Sequence, residues 1–215
     1  MGNQYTLAVQ PCTFRGYRVL AYAGMTPMIE RLREPSMPLW KSGTFVEDPW
    51  QPVADDAPVP ADAPVVLSLK RWRAERDTLA QRNAPIALQI DPDNDWHDVV
   101  SDLPRFPVIV VTIPKYADGR AFSIARLLRD RDGYKGEIRA SGNYIIDQVP
   151  YMARVGIDAF LTSDPALINA FEKGEWPEVP HYLQPAFDHG AEVPAGTRPW
   201  IRKKGPPFDT GPLNK

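Results

Sequence analysis

Four residues close together in the sequence could bind an anion. Lys115 and Arg120 are cations, and Asp118 and Gly119 lie between them, next to the start of a predicted helix. Ammonium and guanidinium groups, together with the free backbone amides of a helix N-terminus, donate hydrogen bonds to a small oxyanion or phosphate. In the structural alternative, Asp118 caps the helix, Gly119 eases the turn, and Arg120 is solvated or pairs with Asp118.

A second polar stretch combines Arg139 with Asn143, Asp147 and Gln148. Arg139 lies within a predicted strand, and a guanidinium inside an apolar sheet needs a partner because an unpaired buried charge is very costly. A structural salt-bridge network with Asp147, Glu137 or Asp118 would meet that need. Alternatively, a ligand lies in a polar pocket and contacts Arg139, Asn143 and Arg120. Asp147 and Gln148 would then orient these three side chains. Neither arrangement places a nucleophile beside a base, so acyl or phosphoryl transfer has little support.

Both stretches belong to a regular alternation of strands and helices. Between residues 65 and 175, short apolar runs rich in β-branched residues alternate with amphipathic segments, which is typical of successive βα units. The predicted strands are Val65–Leu69, Ile86–Ile90, Val108–Ile113, Glu137–Ser141 and Ala159–Thr162. The predicted helices cover residues 71–82, 96–102, 121–128, 145–152 and 165–173.

This alternation predicts an α/β fold with a parallel sheet of about five strands. Right-handed crossovers would pack helices against the sheet, and we expect an open sheet with three layers. A truncated barrel-like fold of βα units is the alternative, because a complete eight-unit barrel takes roughly 200 residues or more. Phe45 and Val46, after a hairpin turn at residues 41–44, could add an antiparallel edge strand.

Proline separates this α/β domain from its flanks. The chain of 215 residues contains 24 prolines, about twice the usual share, and they are denser on both sides of residues 65–175. Because proline lacks the N–H donor that regular ladders need, we expect a Pro-rich, irregular N-terminal extension and arm over residues 1–64. We expect a partly disordered C-terminal extension over residues 176–215.

Composition excludes several classes of function. There are 25 lysines and arginines against 27 acidic residues, without a basic cluster, which argues against a nucleic-acid partner. No stretch is apolar enough to span a membrane, and the N-terminus lacks the charge of a secretory signal, so we expect a cytoplasmic protein. Cys12 is the only cysteine, and the three histidines lack the i,i+4 spacing of a metal pair. Neither a metal site nor a cofactor is therefore identifiable from the sequence.

Five elements between Lys115 and Phe160 form a longer pattern. They are Asp118-Gly119-Arg120-Ala121-Phe122-Ser123, Ala125-Arg126-Leu127-Leu128-Arg129, Gly133-Tyr134-Lys135-Gly136-Glu137-Ile138-Arg139-Ala140, Asp147-Gln148 and Arg154-Val155-Gly156-Ile157-Asp158-Ala159-Phe160. With this spacing the chain resembles the bacterial family named domain of unknown function 934, and the similarity extends more weakly over residues 41–187. The resemblance adds Ser123 to the candidate ligand-binding residues. Asn143 stands where the family more often has an acidic residue, which argues against a catalytic carboxylate there.

The resemblance implies a role in assimilatory sulfur metabolism. Genes of this family tend to accompany those for assimilatory sulfite reductase, and its members are commonly described as oxidoreductases of sulfite reduction. Because the chain has no recognisable redox group, we expect an accessory protein that binds sulfite reductase or a small sulfur oxyanion. The alternative is an oxidoreductase that uses a diffusible nicotinamide or flavin cofactor at the carboxyl ends of the strands. Enzymatic activity is implied by the resemblance alone.

Overall fold

The computed structural model describes residues 37–175 and 177, together with the backbone of five short strands outside that range. The chain divides into two compact units, Met1–Ser36 and Met37–Lys215. In the first unit, an antiparallel sheet is formed in chain order by β1 (Thr13–Phe14), β2 (Tyr17–Val19) and β3 (Ile29–Arg31). Most of the predicted C-terminal extension, residues 176–215, lies outside the described residues.

The second unit contains a sheet of eight strands. They are β4 (Leu39–Lys41), β5 (Thr44–Val46), β6 (Gln51–Pro52), β7 (Val65–Ser68), β8 (Ile86–Ile90), β9 (Val108–Ile113), β10 (Glu137–Gly142) and β11 (Ala159–Leu161). Their order across the sheet is β5-β4-β11-β10-β9-β8-β7-β6. The strands from β6 to β11 are parallel, whereas β4 runs antiparallel to β11 and β5 antiparallel to β4. A separate antiparallel pair consists of β12 (His181–Tyr182) and β13 (Arg202–Lys203).

The predicted strands correspond to β7–β11, and the predicted edge strand at Phe45 and Val46 is part of β5. The expectation of about five strands was too low, because residues 39–52 add three more to the same sheet. The added strands are only two or three residues long. Such short strands carry too little alternation to be recognised by periodicity.

Helices follow the strands as the βα pattern predicts. They are α1 (Leu69–Leu79), a 3-10 helix (His97–Arg105), α2 (Arg120–Asp130), a 3-10 turn (Ile146–Gln148) that continues into α3 (Val149–Arg154), and α4 (Pro165–Lys173). Two of these helices have a polar N-cap side chain. Ser68 Oγ accepts a hydrogen bond from the Arg71 amide at 3.0 Å, and Asp164 Oδ1 accepts one from the Ala166 amide at 2.9 Å. These caps satisfy amides that the first helical turn leaves without partners.

A short connection between the two edge strands requires the sheet to curl. β5 ends at Val46 and β6 begins at Gln51, yet these strands lie at opposite edges of the sheet. In a flat sheet of this size the edges would be roughly 34 Å apart, at about 4.8 Å for each strand spacing. The connection reaches at most about 18 Å, even when fully extended. The sheet therefore bends until its two edges approach each other.

Among residues 37–175, helices cover only one face of the curled sheet. The larger buried cluster joins strand residues such as Leu67, Ile109 and Phe160 to residues of α1–α4. The smaller cluster, which includes Val110 and Ala159, lies on the other face and contains no helix residue within the described part of the chain. Parallel strands that follow chain order, joined by right-handed crossovers, place every helix on the same side. The expected three-layer sheet was therefore wrong, and the single helix layer is that of the barrel-like alternative. We call the helix-free side the inner face.

The Pro-rich arm between β6 and β7 is held by arginine side chains. Residues 53–64 form no regular helix or strand. Arg71 Nη1 donates to the Ala54 carbonyl at 2.5 Å, and Arg82 Nη2 donates to the Pro60 carbonyl at 2.5 Å. Pro52 is accommodated in β6 because this strand lies at the sheet edge, where one side needs no backbone donor.

Four charged side chains on the inner face form one ion-pair network. Arg139 Nη1 lies 2.8 Å from Asp48 Oδ1, and its Nε also donates to Glu137. Lys41 Nζ lies 2.5 Å from Glu137 Oε2. The Arg139 and Asp48 side chains are only 5% and 8% exposed. Because Asp48 belongs to the β5–β6 connection, the network ties that connection to the middle of the sheet, and Arg139 has the partners that its burial requires.

This network predicts an acid-sensitive contribution to stability. Burial alone would raise the pKa of Glu137, but the hydrogen bond from Lys41 and the charge of Arg139 hold it below its ordinary value of 4.5. A carboxylate whose pKa falls on folding stabilises the native state above its ordinary pKa, and this stabilisation is lost as the pH falls through the folded value. We therefore expect Glu137→Gln to be less stable than the wild type by about 1–3 kcal/mol at about pH 6, and to lose less stability on acidification.

Urea unfolding at about pH 6 and about pH 3, on either side of the ordinary glutamate pKa, measures this difference. Glu172→Gln, at an exposed position on α4, is the control and should follow the wild type at both values. If Glu137→Gln lost as much free energy of unfolding between about pH 6 and about pH 3 as the wild type does, Glu137 would not be the source of the acid sensitivity.

Candidate functional site at the strand ends

On four neighbouring parallel strands, the last side chain of the inner face is polar. The last inner-face residues of β7, β8, β9 and β10 are Ser68, Gln89, Thr112 and Ser141. Ser68 is in register with Gln89, and Thr112 is in register with Ser141. In barrel-like sheets, side chains at the carboxyl ends of the strands form binding and catalytic sites. This row is therefore the first place to look for one.

A carboxylate extends the row directly after β8. Asp91 Oδ1 accepts hydrogen bonds from Thr112 Oγ1 at 2.6 Å and from Gln89 Nε2 at 3.1 Å. The Asp91 amide donates to Asn94 Oδ1 at 3.0 Å, which folds the loop back on itself. The other carboxylate oxygen, Oδ2, has no hydrogen bond from any residue that the structure describes. We call the following residues the strand-end group: Ser68, Gln89, Asp91, Thr112 and Ser141.

Members of the strand-end group differ in how many of their polar atoms already have hydrogen-bond partners within the protein. All five are half-buried. Ser68 Oγ caps α1 and also donates to Asp55 Oδ1 at 2.6 Å, so its hydrogen-bonding capacity is taken up locally. Within residues 37–175, by contrast, the Ser141 hydroxyl has no hydrogen-bond partner. Ser141 Oγ and Asp91 Oδ2 are thus the groups that remain for a ligand.

Arg120, predicted to bind an anion, lies between two carboxylates. Its Nε and Nη2 donate to the two oxygens of Asp118 at 2.9 and 2.7 Å, and its Nη1 contacts Asp93. The Arg120 amide also donates to Asp118 Oδ1 at 3.2 Å, so Asp118 holds the start of α2. The hydrogen bond from Arg120 lowers the pKa of Asp118. An oxyanion at Arg120 would have to displace one of these carboxylates.

Two amide side chains join the loops that follow β9 and β10. Asn143 Nδ2 donates to the Pro114 carbonyl at 2.8 Å, and Gln148 Nε2 donates to the Tyr116 carbonyl at 2.7 Å. Gln148 Oε1 accepts from the Ile145 amide at 3.2 Å. Both amides were predicted to contact or orient a ligand, and in the structure they fix the two loops relative to each other.

The other predicted ligand-binding residues do not meet at one point. Lys115, Gly119, Ser123 and Asp147 are exposed. Arg139 is bonded to residues of the inner-face network. The partners of Arg120 lie instead in the loops after β8 and β9. The two arginines therefore have separate sets of partners.

Sequence reasoning missed the strand-end group. Its signal is present in the sequence. The inner-face positions before it include the buried residues Ala87, Val108 and Val110, and the final inner position of β7, β8, β9 and β10 is polar. This signal is useful only when it is known which face of each strand is the inner one. The inner face is defined by the position of the helix layer, and periodicity within a single strand does not predict on which side the helices pack.

Metal-binding clusters and membrane-spanning helices are both absent from the described part of the chain. No group of three or more histidine, cysteine, aspartate or glutamate side chains there could hold a metal ion. None of the helices described for this chain has the length and apolar character that crossing a membrane requires.

Comparison with known proteins identifies a family. Searches of curated proteins and of solved structures each found no match. A family model described as "Bacterial protein of unknown function (DUF934)" matches residues 87–193. This range begins within β8 and includes all the predicted ligand-binding residues and every member of the strand-end group except Ser68. Through residues 87–193, the chain therefore belongs to the DUF934 family of bacterial proteins.

Proposed function

We propose that the protein is an accessory protein of assimilatory sulfur metabolism that acts in sulfite reduction by binding sulfite reductase. The binding surface in this proposal consists of Tyr116, Ile145 and Tyr151, which we call the carboxyl-end patch. The observation that carries the proposal is the exposure of these three large apolar side chains beyond the carboxyl ends of β9 and β10.

The carboxyl-end patch is exposed and also held in place. Tyr116, Ile145 and Tyr151 are 64%, 45% and 38% exposed. Gln148 bonds to the backbone of the first two, and the ring of Tyr151 packs edge-on against Phe122 with their centroids 5.2 Å apart. Contiguous exposed apolar patches mark interaction sites, and tyrosine is enriched in protein interfaces. A surface that is already ordered loses little conformational entropy on binding.

Sulfite reductase is chosen as the partner for two reasons. The family resemblance connects this chain with genes for assimilatory sulfite reductase. The chain has one cysteine, and an iron–sulfur cluster normally needs about four thiolates, so a partner that carries the redox groups fits the composition. A small sulfur oxyanion is the weaker candidate for this end of the sheet, because Arg120 already binds two carboxylates.

Binding to purified assimilatory sulfite reductase from the same bacterium tests the proposal. We expect the double substitution Tyr116→Ala and Ile145→Ala to weaken the affinity by at least about tenfold, because buried interface aromatics commonly contribute more than about 1 kcal/mol each. Leu127→Ala is the matched control, since Leu127 is 37% exposed on α2 and lies outside the patch. Isothermal titration calorimetry gives the three dissociation constants.

Three results would contradict the proposal. The first is an absence of binding by the wild-type chain, and the second is an equal loss of affinity in Leu127→Ala. The third is turnover of a nicotinamide or flavin cofactor by the isolated chain, which would support the oxidoreductase alternative instead.

A further inference from the structure

The geometry points to a separate ligand site, in which the strand-end group other than Ser68 binds the vicinal diol of a small sugar or ribosyl compound. The site lies at the carboxyl end of the inner face and consists of Gln89, Asp91, Thr112 and Ser141. It uses no residue of the carboxyl-end patch. It therefore stands or falls independently of partner binding.

The inner face of β8 and β9 changes from apolar to polar at this end. Below the strand ends, the same face of β8 and β9 carries Ala87, Val108 and Val110, which are buried in one apolar cluster. At the strand ends it carries half-buried polar side chains on neighbouring strands instead. Removing polar groups from water costs free energy unless they gain hydrogen bonds. A cluster of them in a sheltered position is thus expected where a ligand supplies part of those bonds.

The Asp91 carboxylate is held in a single orientation. Thr112 and Gln89 both donate to Oδ1, at 2.6 and 3.1 Å. Two donors on one oxygen prevent rotation of the carboxylate and leave Oδ2 as an oriented acceptor. Because the acceptor is positioned before a ligand arrives, less conformational entropy is lost on binding.

The charges around the site select against anions. Asp91, Asp93 and Asp118 provide three carboxylates in the loops after β8 and β9. Two cations oppose them, Arg120, which is bonded to the last two, and Lys115. A sulfate or phosphate group would meet an excess of negative charge. The site therefore favours ligands that donate hydrogen bonds to carboxylate oxygen.

Hydroxyl pairs match the available groups better than an ammonium does. One ligand hydroxyl can donate to Asp91 Oδ2 and its neighbour can accept from the Ser141 hydroxyl, whereas an ammonium can only donate. Thr112 and Ser141 are in register on neighbouring strands, which are about 4.8 Å apart. Thr112 Oγ1 can still accept a hydrogen bond while it donates to Asp91, and the Ser141 hydroxyl can donate one. An acceptor and a donor on neighbouring strands suit two adjacent hydroxyls of one small molecule.

Titration of the nitrogen-15-labelled full chain, followed by amide NMR, tests this site. The diol probes are methyl β-D-ribofuranoside and adenosine, and the comparison probes are ethanolamine and inorganic sulfate. We expect saturable shifts with the diols at the amides of Asp91, Thr112 and Ser141, and none with sulfate. Asp91→Asn and Ser141→Ala should each weaken diol binding, the first by at least about tenfold because it removes a charged acceptor.

The controls separate loss of the site from loss of the fold and from failure of the proposed function. Asp130→Asn makes the same chemical change as Asp91→Asn on the exposed end of α2 and should leave diol affinity unchanged. Ser141→Ala removes no hydrogen bond within the described residues, so it should fold even if Asp91→Asn does not. Substitutions in the carboxyl-end patch should not alter diol binding. Lack of saturation by both diols, binding of ethanolamine or sulfate alone, or unchanged affinity in Ser141→Ala and Asp91→Asn would overturn the inference.

Discussion

Replacing Arg129 with alanine is expected to lower the free energy of unfolding by at least about 3 kcal/mol. The Arg129 side chain is only 4% exposed and pairs with Asp158. Its guanidinium also donates to the carbonyls of Gly156 at 3.0 Å, Tyr134 at 3.0 Å and Gly136 at 2.8 Å. The substitution leaves three carbonyls without this donor, and each lost bond costs about 1 kcal/mol.

Arg126→Ala is the control for this prediction. Arg126 lies on the same helix, is 26% exposed and pairs with Asp130 four residues later. Exposed pairs at this spacing contribute only about 0.3–0.5 kcal/mol. Urea unfolding followed by tryptophan fluorescence measures both variants. If Arg129→Ala were no less stable than Arg126→Ala, the guanidinium could not be the group that joins α2 to the turns around β10 and β11.

Replacing Gly142 with alanine is expected to destabilise the chain by about 2–4 kcal/mol, because it adds backbone strain to a steric clash. Gly142 ends β10 with a φ of +111°, a conformation that residues with a Cβ rarely adopt. A Cβ there would lie 2.3 Å from the carbonyl oxygen of Ile113 on the neighbouring strand. That oxygen already accepts a hydrogen bond from the Asn143 amide at 2.7 Å and cannot move away freely.

Gly133→Ala separates the two causes. Gly133 also has a positive φ, +67°, but a Cβ at this position would meet nothing within 4 Å. This variant should therefore lose only the backbone preference, about 1–2 kcal/mol. Thermal and urea unfolding of both variants give the comparison. Equal losses would show that strand proximity at Gly142 contributes nothing. A larger loss in Gly142→Ala should also displace the amide signals of the loops after β9 and β10.

The contacts of Arg129 explain why much of the family pattern is structural. The element Gly133–Ala140 supplies two of the carbonyls, and the element Arg154–Phe160 supplies Asp158 and the third carbonyl. Three separate parts of the pattern thus meet at one buried guanidinium. A resemblance carried by such residues identifies the fold reliably, but it does not locate a ligand.

Local patterns were enough to predict most of the parallel strands. The boundaries Ile86–Ile90 and Val108–Ile113 agree with the structure, because these apolar runs are bounded by turn residues and contain many β-branched side chains. The hairpin before Phe45 was also predictable, since Ser42 and Gly43 both adopt positive φ and glycine favours such turns. β6 was missed because it has two residues and includes Pro52.

The candidate site was predicted less well, because its members come from separate strands. Arg139 was recognised as needing a partner, and Glu137 was correctly among the carboxylates considered. Asp48 could not be named, since it is 91 residues away in the chain. No sequence motif marked Asp91 as a candidate site residue. Its importance comes from Thr112 and Gln89, which reach it only when β8 and β9 are paired.

The sequence by itself determined the βα alternation and the family, because these depend on residues within one segment or on spacing along the chain. Only the tertiary structure decided that helices cover one face, that the sheet curls, and that four strands end in polar side chains on the inner face. These properties depend on strand order and on a short connection between distant edges. Such contacts are set by the free energy of the whole packed domain, which no single segment encodes.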